Sequence, residues 1–97
     1  MIARYLFLRL EPAWATAQGR RDLVAELAAL RAVPELIELW AGPPADDSAL
    51  GSWDVGAVLR FESLAALGRF FADPRVQAFH ASLGPRAVVQ KSWSFEC

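Results

Sequence analysis

The sequence predicts an α+β domain, a four-stranded antiparallel sheet with helices on one face, and three observations carry that expectation. Segments of strand-like and helix-like hydrophobic period succeed one another in the order strand, helix, strand, strand, helix, strand. Every connection but one is short, as in a small domain whose consecutive elements are neighbours. The 97 residues, 55% hydrophobic and 22% charged, have the length and composition of one globular domain over residues 1–97.

Residues 2–10 (IARYLFLRL) are rich in β-formers and bounded by Glu11-Pro12. They read as a strand with Ile2, Leu6, Leu8 and Leu10 on one face and Ala3, Tyr5, Phe7 and Arg9 on the other. Over residues 16–31, Leu23, Val24, Leu27 and Leu30 recur at helical spacing, with Arg20, Arg21, Glu26 and Arg31 on the remaining surface, and Pro34 ends the helix. Residues 35–40 (ELIELW) form a second strand that stops at Gly42-Pro43-Pro44, and a long loop follows to Gly51. Residues 53–61 form a third strand with Trp53, Val55, Ala57, Leu59 and Phe61 on one face. Ser63 caps a helix containing Leu64, Leu67, Phe70 and Phe71. Asp73-Pro74 then opens another, with Asp as N-cap and Pro at the first helical position, closed by Gly84. Residues 87–96 make the last strand.

This order is the split βαβ, or ferredoxin-like, arrangement. Its helices cover one side of the sheet, and the other side carries Tyr5, Phe7 and several of the Trp and Phe residues. So apolar a face predicts a homodimer packed sheet to sheet.

Composition narrows the function classes. Ten basic and eleven acidic side chains give a net charge of −1, and the nine arginines are scattered from Arg4 to Arg86, against nucleic-acid or acidic-membrane binding. No apolar run approaches the ~18 residues of a membrane span. Arg4 and Arg9 interrupt the first apolar stretch, which argues against a secretory signal, so a cytoplasmic location is expected. A single His and a single Cys leave no metal-ligand spacing, and no glycine-rich phosphate loop is present, so neither metal nor cofactor is expected. Cys97 has no base placed beside it and is not expected to act as a nucleophile.

Ser52-Trp53-Asp54-Val55, Phe61-Glu62-Ser63-Leu64, and Phe70 followed by Asp73-Pro74 and Phe79 resemble the stress-responsive A/B barrel domain, a branch of the dimeric α+β barrel superfamily. Val33-Pro34-Glu35-Leu36 and the closing Trp93-Ser94-Phe95 agree in position. The resemblance covers essentially the whole chain, and it implies a homodimer whose sheets form a barrel, with a ligand cavity between sheet and helices in each protomer. One branch, similar to olivetolic acid cyclase, closes polyketide rings by aldol chemistry with histidines and a tyrosine. Against that branch, Tyr5 stands at the first-strand histidine and Phe70 at the helical tyrosine. The segment with two histidines around a proline reads Asp73-Pro74-Arg75-Val76. The histidine mechanism does not transfer unaltered.

The chain's one imidazole, His80, lies four residues after Val76, one turn along the same helical face. It reads either as a general base for enolisation α to a carbonyl or as a part-exposed helix residue beside Phe79. Tyr5 reads as a donor to a carbonyl or oxyanion, or as an interface residue. Arg9 reads as an anion holder, or as a side chain snorkelling from the strand end. Gln90 and Ser92 offer neutral polar groups among the apolar walls expected from Phe7, Val55, Ala57, Leu59, Phe70, Val76 and Phe79. Three functions stay open. The first is a barrel protein with a small hydrophobic-ligand cavity. The second is a cofactor-free cyclase or isomerase acting on a polyketide-like or aromatic carbonyl compound, with His80 as base and Tyr5 or Arg9 as oxyanion partner. The third is a cofactor-independent monooxygenase in which Trp and Tyr groups stabilise a substrate carbanion.

Overall fold

A strand that is apolar on both faces belongs inside a sheet, and β1 (Ile2–Leu10) lies there in the computed structural model, which describes residues 1–49 and 51–97. Its neighbours are β3 (Val55–Phe61) and β4 (Ala87–Glu96), both antiparallel, and β2 (Glu38–Gly42) pairs with the far side of β3 to give the order β2-β3-β1-β4. The helices α1 (Ala17–Ala29), α2 (Leu64–Ala72) and α3 (Pro74–Leu83) complete the ferredoxin-like α+β fold. Leu8, Leu23, Leu27, Val33, Val55, Phe61, Val76 and Leu83 are the largest fully buried side chains, and they form the core between sheet and helices.

The sequence rules that place the helix starts hold in detail. Thr16 and Ser63 accept hydrogen bonds from the backbone N–H groups of Gly19 and Ala66 at 3.0 and 3.1 Å, and Asp73 caps α3 with Pro74 in its first turn. Gly19 is a glycine for a steric reason, because a Cβ there would overlap the backbone carbonyl oxygen of Trp14. Gly84 ends α3 in ordinary right-handed geometry and not by a left-handed cap.

Two expectations are corrected. The second strand begins at Glu38, not at residue 35, because a 3-10 turn over Leu30–Ala32 continues into Val33 to Leu36, whose backbone bonds turn inward before Ile37 N–H reaches the Arg60 carbonyl at 2.9 Å. Trp53 does not share a face with Val55. The third strand starts only at Val55, and the Trp53 ring packs 5.6 Å from Phe7 on the opposite side.

Asp54 makes that break structural. Its buried carboxylate accepts from the Leu10 backbone N–H at 2.7 Å and from Arg20 Nε at 3.0 Å, while its own N–H donates to the Leu8 carbonyl at 2.7 Å. One side chain thus joins the end of β1, the start of β3 and α1. Asp54→Ala strands the Leu10 donor and unpairs Arg20, and is expected to lower unfolding stability by about 2–3 kcal/mol. Urea denaturation checks this through a lower midpoint with an unchanged m-value.

Candidate functional site

The inward face of β1 reads Ile2, Arg4, Leu6, Leu8, Leu10. Leu8 and Leu10 are buried under the helices, whereas at Arg4 and Leu6 a cavity of about 230 Å³ remains between the sheet and the α2–α3 corner. The corner is built by Asp73-Pro74. Proline excludes helical geometry from the residue before it, so Asp73 is extended and the chain turns there. Phe70 and Phe71 from the end of α2 therefore converge on Val76, Phe79 and His80, which share one face of α3 at helical spacing. Asp73 also accepts from the Arg75 backbone N–H at 2.8 Å and from the Arg75 guanidinium at 3.0 and 2.8 Å. These side-chain bonds, and secondarily the backbone bond, hold its pKa down to about 2. Arg75 Nη1 reaches the Ala32 carbonyl at 3.2 Å, fastening the corner to the segment after α1.

On the other wall, Gln90 and Ser92 of β4 stand opposite Leu8 and Leu6 in register and give the cavity its neutral polar side. Arg4 is the charge within it. Its Nη1 donates to Ser94 Oγ at 2.9 Å and its Nη2 to Ser92 Oγ at 2.8 Å, and its Cζ lies 5.1 Å from the centre of the Phe71 ring. Half-burial lowers its pKa from the ordinary arginine value, but an arginine stays charged. The His80 ring stacks on the same Phe71, centroids 5.8 Å apart and planes 29° apart. Burial first, and then the charge of Arg4, push the His80 pKa below that of a free histidine. At neutral pH the imidazole is uncharged and able to accept a proton.

Leu59, Phe70, Val76, Phe79, His80, Gln90 and Ser92 thus meet at one cavity. Tyr5, Phe7 and Arg9 do not join them. Alternation on β1 sends their side chains to the outer face, where Tyr5 lies 5.8 Å from Phe95 and Phe7 lies 6.2 Å from Trp93. Neither Tyr5 nor Arg9 can partner His80, and the position matched to the cyclase histidine faces away from the cavity. The strand residues Tyr5, Trp40 and Trp93, which could serve as Trp and Tyr groups of a monooxygenase site, likewise stand on the outer face. Val55 and Ala57 point inward but are packed in the core and do not line the cavity. Reading the sequence missed Arg4 and Phe71. Their signals were a lone charge at an inward position of an otherwise apolar strand face, and an aromatic beside Phe70 at the helix end. Among the described residues no cluster of His, Cys, Asp or Glu is arranged to hold a metal ion, and no helix is long and apolar enough to cross a membrane.

A four-stranded sheet in the order β2-β3-β1-β4, with helices on one face and an uncovered aromatic face on the other, defines an α+β protein of the ferredoxin-like class. The profile of the Stress responsive A/B Barrel Domain family matches residues 2–95, and the chain belongs to that family. Solved structures agree in fold. A dimeric ferredoxin-like protein of unknown function from Thermobifida fusca superposes with a TM-score of 0.84 at 20% identity, over 99% of this chain and 90% of that one. A Dabb family protein from Mesorhizobium loti gives 0.79 at 18% identity, over 99% and 95%. The hydroxynitrile lyase of Passiflora edulis gives 0.81 at 18% identity, over 97% and 90%. No curated protein matches significantly in sequence.

His80 supplies its own test, since its imidazole signals in a proton NMR spectrum come from one residue. Their titration midpoint is expected below the free-histidine value of about 6.5. Arg4→Gln is expected to raise it part of the way, because burial, the larger cause, remains. The folded chain binds this proton more weakly than the unfolded chain, so the contribution of His80 to stability is complete above about pH 6.5 and declines on acidification through the folded midpoint. His80→Gln removes that part of the pH dependence in chemical denaturation series.

Proposed function

We propose that this chain is a small-molecule-binding barrel protein that works as a homodimer, with the ligand held between the inner sheet face and the α2–α3 corner. The observation that carries the reading is the cavity itself. It is walled by Leu6, Phe70, Val76 and Phe79, and its polar groups converge from one strand pair and one helix. At interior packing density its volume accepts roughly 170 Å³ of ligand, about the bulk of one aromatic ring with a short substituent.

The dimer reading rests on the outer face. Tyr5, Trp93 and Phe95 are 39%, 49% and 56% exposed and adjoin Phe7 in one shallow aromatic depression, a patch of the kind that monomers seldom leave bare. A second copy of the same sheet is its simplest cover, and the Thermobifida relative is described as dimeric.

Leu6→Phe fills the cavity from β1 without adding charge. It is expected to weaken binding of one-ring aromatic probes, followed by ligand-observed NMR, by at least roughly tenfold while the protein stays folded. Unaltered binding would place those probes elsewhere. Tyr5→Glu combined with Trp93→Glu is expected to convert a species of twice the 10.7 kDa chain mass into one of single mass in light scattering. The same variant leaves probe binding intact if the two faces act separately.

A second reading, catalysis by His80, is favoured by its uncharged imidazole at the cavity. His80 would take a proton from the carbon α to a carbonyl, and Arg4, not Tyr5 or Arg9, would hold the enolate oxygen. The fold is compatible with an enzyme, since the Passiflora structure is described as a hydroxynitrile lyase. Protein-dependent washing of solvent deuterium into the α-carbon of an aromatic ketone, lost in His80→Gln, is the expected result. Exchange no faster than in buffer would contradict it.

A further inference from the structure

We infer that the ligand of this cavity is an anion, a small carboxylic acid with an apolar body, whose carboxylate is received by Arg4. The inference rests on the small-molecule reading and deepens it. Five of the arginines, Arg20, Arg60, Arg69, Arg75 and Arg86, are paired with carboxylates at 2.6–3.2 Å. Arg4 is half-buried and has no such partner among the described residues. Its hydrogen bonds go to two neutral hydroxyls, and its face is covered by a phenyl ring. Serine oxygens orient a guanidinium but do not neutralise it, and a cation withdrawn from water without a counter-charge is an unfavourable arrangement that an incoming anion relieves.

The geometry suits a carboxylate. Two of the five guanidinium N–H groups are engaged by Ser92 and Ser94, so three remain for a ligand, enough for a two-bond carboxylate contact. The serines pin the fork in place, so little side-chain freedom is lost on binding. The other titratable group on the cavity wall, His80, is neutral or positive and never competes as an anion. Leu6, Phe70, Val76 and Phe79 receive the apolar remainder of the molecule.

Arg4 and His80 share Phe71, and the charge of Arg4 disfavours protonation of His80. An anion on Arg4 cancels that effect, so binding is reported by the histidine. The test compares cinnamate with its neutral isostere cinnamamide on the full chain, following the imidazole signals across pH. Cinnamate is expected to bind at least roughly tenfold more tightly than the amide and to raise the His80 midpoint, which the amide does not. Arg4→Gln is expected to abolish the preference, weakening cinnamate by at least as much as cinnamamide so that acid and amide bind alike. Arg4→Lys, which retains the charge without the fork, keeps part of it. Equal binding of acid and amide overturns the anion inference and leaves the cavity reading standing. Binding of neither overturns both, and a preference for the acid that survives in Arg4→Gln assigns the anion to another group and overturns the role of Arg4.

Discussion

The structure depends on one constraint, the double burden placed on β1. As an inner strand between β3 and β4 it has no edge, so its backbone is committed along its length and its side chains alternate without freedom to slip, since a one-residue shift would exchange its two faces. The even positions supply the core through Ile2, Leu8 and Leu10 and present Arg4 and Leu6 to the cavity. The odd positions supply the aromatic outer surface through Tyr5 and Phe7. The two proposed functions, ligand reception and assembly, thus draw on alternate positions of one strand. The Asp54 carboxylate holds the register by fixing the end of β1 to the start of β3 and to α1.

Against that fixed floor the helices make a corner. Asp73-Pro74 stops α2 and starts α3 within two residues, and the Asp73–Arg75 bonds keep the turn ionised and anchored well into the acid range. The turn lays Phe71 against both the Arg4 guanidinium and the His80 imidazole. Phe71 lies against a permanent cation and a titratable base, and the charge of the first acts on the second through space. The cavity is therefore electrostatically polarised although most of its wall is hydrocarbon, and its polarity is of one sign.

Much of the fold was legible because its signals are local. The period of residues 2–10, the Ser63 and Asp73 caps and the Asp73-Pro74 break each act within a few residues and were read at nearly their observed places. The start of β2 was less legible, because Val33 to Leu36 are apolar enough to read as strand while their backbone bonds form turns. Trp53 misled for a related reason. Alternation was extended past the true start of β3, where Asp54 turns inward to bind Leu10 and Arg20. In the site, spacing grouped the residues on α3 and β4 by face and the family resemblance turned those faces to a cavity, which His80, Val76, Phe79, Gln90 and Ser92 line. Tyr5 and Arg9 do not, because the resemblance offers their face of β1 to either the cavity or the dimer seam, and the structure shows it to be the outer one. The parity that placed Tyr5 with Phe7 also placed both away from Leu6, and the same rule pointed to Arg4 as the inward charge.

In the proposed reading Arg4 gives these parts a common purpose: a mostly apolar cavity in which a pinned guanidinium receives an anion beside a neutral base. Such a chamber binds by two complementary terms, burial of an apolar body and a charge-assisted contact in a place of lowered dielectric. The most direct measurement is a crystal structure of the protein with 4-bromobenzoate, locating the bromine by its anomalous scattering. The account predicts a bromine peak among Leu6, Phe70, Val76 and Phe79, with the carboxylate within hydrogen-bonding distance of Arg4. A peak on the outer face beside Tyr5 and Trp93, or a carboxylate turned away from Arg4, would contradict it.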